Sequence, residues 1–337
     1  MTELATSYMG LALRNPLVAS PSPLSYTLDG VRRLAAGGVG AIVLYSLFEE
    51  QLRKQQAHTT ELVDGPAESF PEALDYVPAV MKEDPGPRRY LNLLERAVAS
   101  VDVPVIASLN GITAEGWTDY ARAMQGAGAA AIELNIYYLP ADPRTHGRDV
   151  EQRHIEVLQR VKEAVGVPVA VKLSPYFSSI GEMALSLDEA GADALVLFNR
   201  FLQPDIDPEE LLILPEVTLS NPADGRLPRA WIALLRGRIS ASLAATTGVD
   251  VAADVARYLL AGADVVMTTS ALLRHGPGYA GELIDGLSAW MARKGFGSLD
   301  QLRGMLSVPA DTDQAAYARA GYVTAMRAAN AGSYDPW

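Results

Sequence analysis

Lys172 stands inside the apolar run VPVAVKL of residues 167–173. A lysine is rarely buried without a partner or a task. Two readings are open: an internal ion pair with Glu133, or a cation that holds an anionic ligand or stabilises charge forming on one. Glu133 and Asn135 come two apart in the run GAAAIELNI of residues 128–136. On a strand that spacing points both side chains to one face. Polar groups on a buried strand need partners, from inside the protein or from a ligand. Asn199 and Arg200 close a third apolar run, in LFNRF. Thr247 and Gly248 in AATTGVD (244–250), with Thr269 and Ser270 in TTSALL (268–273), offer the N–H and hydroxyl groups that suit a phosphate. The implied chemistry is anion binding plus electrostatic stabilisation at a lysine.

The elements that must position these groups repeat. Residues 38–46, 128–136, 191–199 and 262–270 each read as a glycine followed by small residues and then an apolar run. The glycine lets the chain turn after a helix, and the apolar run suits a strand covered on both faces. Between them lie NPLVAS (15–20), VPVIASL (103–109), VPVAVKL (167–173) and RISASLA (238–244). Alternation of the two types predicts eight strands with helices between, a closed parallel (β/α)8 TIM barrel. The chemistry-bearing residues then fall at the C-terminal strand ends, where such barrels carry their sites.

The whole chain, residues 1–337, reads as a single barrel domain. One connection is too long for a barrel: residues 47–102, after the second strand, with a Pro- and acid-rich stretch, read as an insertion acting as a lid or dimer contact. A second long connection spans 200–237, and the C-terminal tail reads as a polar surface segment. Hydrophobic residues make up 49% and charged residues 20%, the balance of a globular enzyme. The net charge of −12 argues against a nucleic-acid surface. The chain has no Cys, which excludes disulfides, thiol bases and Cys-held metals or clusters, and no metal site is expected. No basic leader or membrane-length apolar stretch is visible, so the expectation is a cytoplasmic protein.

Taken together, these motifs resemble the dihydroorotate dehydrogenase family of FMN barrels, from Asn15 to about Gly304. NPLVASPSPL resembles the family's opening NPxxxASGP, GAAAIELNI its ELN strand, and VPVAVKLSP its VKLxP strand. TGVDVAADVARYLLAGADVVMTTSALL is similar to its GGIxxxxDAxxxIxAGAxxVQxGTAL region, and GSLDQLRG to its closing IxEFxG. The motifs ELNIYY, LFNRF and AATTGV resemble a divergent branch of the family. The resemblance implies an FMN oxidoreductase of pyrimidine-type substrates, acting on a CH–CH bond beside a carbonyl. It places Lys172 at the flavin N1/O2 edge, Ser108 at a polar flavin contact, and Thr247, Gly248, Thr269 and Ser270 in the phosphate cup. Ser20, Ser22, Tyr45 and Ser46 join the cofactor set as ends of the first two strands. Asn135 and Asn199 match two substrate-holding asparagines. A homodimer and an electron acceptor of unknown kind are expected as partners.

The departures bear on the reaction. The family's NxSCPN or NxSSPN segment is Asn135-Ile-Tyr-Tyr-Leu-Pro140 here, so Tyr138 replaces the catalytic Cys or Ser. Tyr45 stands where the family has a lysine. With Tyr138 or Tyr137 at the base position, a proton donor is present, and reduction of an activated alkene is as reasonable as oxidation. His146 is a substitute base if its loop folds over the site, and Arg200 with Arg144 and Arg148 is a substitute carboxylate clamp. Two rival readings follow: a Schiff-base lyase with Lys172 as nucleophile, and a flavin-binding subunit without catalysis.

Overall fold

The computed structural model describes residues 2–49, 86–111, 117–138, 140, 142–200, 204–214 and 218–330. The barrel strands are β1 (Leu17–Ala19), β2 (Ala41–Phe48), β3 (Val105–Gly111), β4 (Ala131–Ile136), β5 (Val169–Leu173), β6 (Ala194–Leu197), β7 (Ser242–Ala245) and β8 (Val265–Thr268). All neighbouring pairs are parallel, and β6 pairs with β7 to close the barrel. The expected (β/α)8 barrel is therefore the observed fold. The glycines that open the four repeats, Gly38, Gly128, Gly191 and Gly262, take φ of 101, 90, 93 and 123°. A side chain resists that conformation, which is why each helix can turn straight into its strand only through glycine.

The outer layer holds α1 (Leu28–Ala36), α2 (Gly86–Val98), α3 (Trp117–Gly126), α4 (Gly147–Ala164), α5 (Ile180–Glu189), α6 (Arg226–Leu235), α7 (Ala252–Ala261), the short α8 (Ser270–His275) and α9 (Tyr279–Lys294), followed by α10 (Gln314–Asn330), whose residues 319–328 are exposed. Side chains that cap these helices satisfy their first N–H groups: Thr27 accepts from Gly30 N–H at α1, and buried Asp254 accepts from Asp250 and Val251 N–H at α7. Among the described residues no helix is long and apolar enough to cross a membrane.

Alternation along the strands divides the core into two. Ile42, Leu134, Val171 and Leu195 face the helices, while Val18, Val43, Ile106, Val196 and Met267 face the barrel axis. Inward alanines at 131, 170, 194 and 244 leave room below for Tyr8, Met9 and Leu13, which come from the hairpin Thr6–Tyr8/Leu11–Leu13. Met9 N–H donates to Ser242 Oγ at 3.1 Å, at the start of β7, so the hairpin plugs the N-terminal end. Polar residues are thereby left to the other end.

The boundaries of the long insertion change. Strand β2 runs on to Phe48, and residues 86–98 form α2, which buries Tyr90, Leu93 and Leu94 as an ordinary barrel helix. The extra material lies between these two elements, and the lid or dimer contact expected of it lies outside the described residues. The 200–237 connection contains the hairpin Asp205–Asp207/Leu212–Leu214 and a 3-10 turn, Pro222–Gly225, that leads into α6.

Candidate active site

The ends of β4, β5 and β6 bring the polar side chains together. Asn135 lies beside Lys172 in the β4–β5 register, and Ser108 beside Glu133 in β3–β4. Lys172 Nζ reaches both Ser20 Oγ and Glu133 Oε1 at 3.5 Å. These are long contacts, so both readings of Lys172 meet in one place: it pairs with Glu133 and still faces open space. Glu133 is fully buried, and its second oxygen has no hydrogen-bond partner among the described residues. Beneath it, burial first and the charge of Glu133 second push the Tyr8 phenol well above its usual range, so Tyr8 stays neutral. Asn199 Nδ2 donates to Asn135 Oδ1 at 2.9 Å, and the hydroxyls of Ser46 and Ser108 meet at 2.9 Å.

The ends of β7 and β8 build a different wall, made mostly of backbone. Thr247 takes φ 77°, an uncommon conformation for a β-branched residue, with its hydroxyl donating to the Phe198 carbonyl at 3.1 Å. Tyr258 OH donates to the Thr247 carbonyl at 2.6 Å and to that of Thr246 at 3.1 Å, fixing the turn from behind. Gly248 takes φ 68°, and a Cβ there would lie 2.4 Å from Gly225 N. Glycine is therefore required by conformation and by space. Thr269 Oγ1 donates to the Ser20 carbonyl at 3.1 Å, joining the cup to β1.

Ser220 is a site residue that sequence reasoning passed over. Its hydroxyl accepts from Gly248 N–H at 3.2 Å and lies 2.9 Å from Ser270 Oγ, while its N–H donates to Ser270 Oγ at 3.0 Å. Arg274 donates to the Ser220 carbonyl at 2.7 Å and to Asp250 at 2.9 Å. The available signal was LSNPADG, a Ser-Asn-Pro turn opening a helix inside an over-long connection.

A cavity of about 370 Å³ joins the two walls, within the range of small-molecule sites. Ser20, Ser22, Lys172, Asn199, Arg200, Thr247, Thr269 and Ser270 line it. Asn135 and Gly248 stand one hydrogen bond behind that lining, through Asn199 and Ser220. A second cavity of about 360 Å³ shares the wall of Phe198, Asn199, Arg200 and Thr247, and is closed by Tyr176, Asp224 and Arg226. Arg200 is exposed and held by the carbonyl and hydroxyl of Thr218 at 2.5 and 3.3 Å.

Other expected residues lie elsewhere. A register shift in β2 between Val43 and Ser46 turns the Tyr45 ring away from this cavity, edge-on to Tyr26 at 4.6 Å and Tyr90 at 5.0 Å. Tyr45 thus packs against the outer core cluster and is not among the residues lining the cavity. Tyr138 lies under Arg153 of α4, 4.2 Å from guanidinium carbon to ring centre, and so points to the helix layer. Tyr137 follows Asn135 at the same two-residue spacing, but it lies just past the end of β4 and is not among the residues lining either cavity. His146 is exposed at the start of α4, Arg144 is paired with Asp142 at 3.1 Å, and Arg148 is exposed. The described structure does not fold that loop over the cavity.

The residues present are compatible with a flavin mononucleotide: a cation at one end, a glycine-shaped turn with Thr247, Thr269 and Ser270 at the other, and one cavity lined by both. The sequence profile of the family described as dihydroorotate dehydrogenase matches residues 3–291. A dihydroorotate dehydrogenase B (NAD(+)) catalytic subunit from Methanothermobacter thermautotrophicus is 28% identical over 310 residues, covering 90% of this chain and 98% of that one. Proteins of the same name from Methanocella arvoryzae (29% identical, 88% and 95% covered) and Pyrococcus abyssi (27%, 90% and 98%) are similar at comparable extent. A match over most of the chain, on a barrel whose mouth carries these groups, shows that the chain belongs to the dihydroorotate dehydrogenase family.

Proposed function

We propose that the protein is an FMN-dependent oxidoreductase acting on a carbon–carbon bond beside a carbonyl, in dihydroorotate/orotate or a related small compound. The observation that carries this reading is the single cavity running from Lys172 to Thr247, Thr269 and Ser270. Lys172 and Ser20 would border the ring of the cofactor, and Thr247, Gly248, Ser220, Thr269 and Ser270 its phosphate. The chemistry a bound FMN supplies is hydride exchange at its N5.

The residues of the chain supply the rest. Lys172 stabilises negative charge near the ring, a role in which one preorganised donor is worth several kcal/mol. Asn135 and Asn199, now bonded to each other, can each turn an amide to a substrate carbonyl. Of the two tyrosines after β4, Tyr137 is the group we assign to proton transfer, because it follows Glu133 and Asn135 at the same two-residue spacing. A phenol is a weak base at neutral pH and a competent acid, so reduction of an activated alkene is the favoured direction. Arg200 is the cation left for a substrate carboxylate. The relatives are named catalytic subunits of an NAD(+) enzyme, and we extend to this chain, as a homodimer, a partner subunit that exchanges electrons with it.

The Schiff-base reading is disfavoured by the Glu133 carboxylate facing Lys172, the arrangement of a fixed cation. The test is anaerobic mixing of the yellow protein with dihydroorotate, and of the reduced protein with orotate and enoates, following flavin absorbance. We expect slow or no bleaching by dihydroorotate and reoxidation by an activated alkene. A colourless protein that borohydride traps on Lys172 with a carbonyl compound would replace this reading with the lyase.

A further inference from the structure

We propose, resting on the flavin reading above, that Arg229 adds positive charge to the phosphate cup, acting from behind it. Arg229 lies in α6, and its Nη1 is buried with no hydrogen-bond partner among the described residues. Arg229 is half-buried, and a guanidinium has only donors to offer, so a buried N–H of it without a partner is costly unless a negative charge comes near. The place for that charge is close by. Arg229 Nη1 lies 2.6 Å from where a Cβ on Gly225 would stand, and Gly225 N lies 2.4 Å from where a Cβ on Gly248 would stand. Gly225, a residue without a side chain, is thus what separates the guanidinium from the glycine of the cup.

The same guanidinium lies 5.5 Å above the ring of Tyr258, whose hydroxyl holds the Thr246 and Thr247 carbonyls. Burial raises the Tyr258 phenol well above its usual range, with the Arg229 charge opposing and the nearby Asp254 and Asp224 carboxylates adding to the rise, so the ring remains a neutral spacer. Cations nearer the cavity are already committed: Arg274 to Asp250 and the Ser220 carbonyl, Arg200 to Thr218, and Lys172 to Glu133. The chain carries a net charge of −12, so a phosphate dianion would otherwise enter an unfavourable field. A charge acting through a thin layer of low-dielectric protein needs no direct contact. Arg229 is therefore a positioning and charge-supplying residue for phosphate-bearing flavin, distinct from the backbone groups that would touch it.

The experiment compares FMN with riboflavin, which has the same ring and no phosphate. Flavin-free protein is titrated with each by fluorescence quenching, as wild type, R229Q and R229K, with melting temperature measured alongside. We expect R229Q to lose about tenfold or more of the FMN-over-riboflavin preference with riboflavin affinity unchanged, and R229K to keep most of it. The wild-type preference should also shrink with added salt. Equal loss of FMN and riboflavin in R229Q would show that Arg229 only holds the wall together and would overturn the proposal, as would an unchanged preference. Should R229Q not fold, R229K and the salt series decide: a preference indifferent to salt and lower in R229K by no more than riboflavin's own change would count against it. A wild type that binds neither flavin would instead remove the flavin reading itself.

Discussion

The two rims of the barrel mouth are built on different principles. The β4–β5–β6 rim acts through side chains: Lys172 between Ser20 and Glu133, and Asn135 bonded to Asn199. The β7–β8 rim acts through backbone shape: Thr247 and Gly248 at positive φ, a glycine pressed against Gly225, and hydroxyls that tie turns to one another. This difference explains why the departures from the family pattern are uneven in their consequences. Exchanging Gly for Thr247 and Gly-Thr for Thr269-Ser270 preserves N–H groups and adds hydroxyls, which suits the phosphate cup proposed above. Exchanging a Cys or Ser for Tyr138 and a lysine for Tyr45 removes groups whose identity was their function, and the structure turns both rings away from the cavity.

The comparison can be broken most forcefully at Lys172. Lys172→Met should lower turnover on the order of a hundredfold or more, the loss seen when one charge-stabilising donor goes. It should also destabilise the fold by about 3–5 kcal/mol, because Glu133 is left buried and unpaired. The double variant K172M/E133Q should regain most of the melting temperature and none of the turnover. A double variant that stays unstable would make the pair structural first. At the other side of the same rim, Tyr137→Phe should cost turnover about a hundredfold and Tyr138→Phe much less. The reverse ranking, in steady-state rates with any accepted substrate, would mean that Tyr138 leaves Arg153 during turnover.

The cup should respond to shape and tolerate chemistry. Gly248→Ala places a Cβ 2.4 Å from Gly225 N at φ 68°, and should cost about 1–3 kcal/mol with loss of bound flavin. Ser270→Ala removes a hydroxyl and leaves the backbone, so its FMN affinity should fall only a few fold, measured by the same titration. Equal sensitivity of both would erase the distinction drawn between the rims.

The smallest expected effect is acid sensitivity confined to the side-chain rim. His154 of α4 is buried, with Nδ1 2.8 Å from the Val150 carbonyl and its ring edge-on to Phe177 at 5.2 Å. Burial, more than the nearby Arg153 charge, holds its pKa below the usual value of 6.5 despite backbone contacts to Val150 and Ile136. The unfolded chain therefore takes up this proton first as pH falls. The stability it contributes is complete above about 6.5 and declines as pH drops through that value toward the lower folded one. Melting temperature measured from neutral to mildly acidic pH should fall in the wild type and less in His154→Gln, and substrate affinity should weaken before FMN is lost.

Much of this was legible in the sequence because it depends on periodicities that the chain carries locally. The glycine-led repeats marked four strands, the two-residue spacing of Glu133 and Asn135 put them on one face, and Lys172 in an apolar run announced a buried charge. Fold and strand ends follow from such patterns because each is enforced by backbone geometry and by burial over a few residues. The rest depends on contacts between distant segments. The register shift in β2 sent Tyr45 outward, Arg153 claimed Tyr138, and the 200–237 connection delivered Ser220 into the cup. Arg229 reads as one more surface arginine until α6 is laid behind Gly248. Sequence spacing fixes which way a strand residue points, while loop trajectories and helix docking fix what it meets, and those are set by packing across the whole barrel.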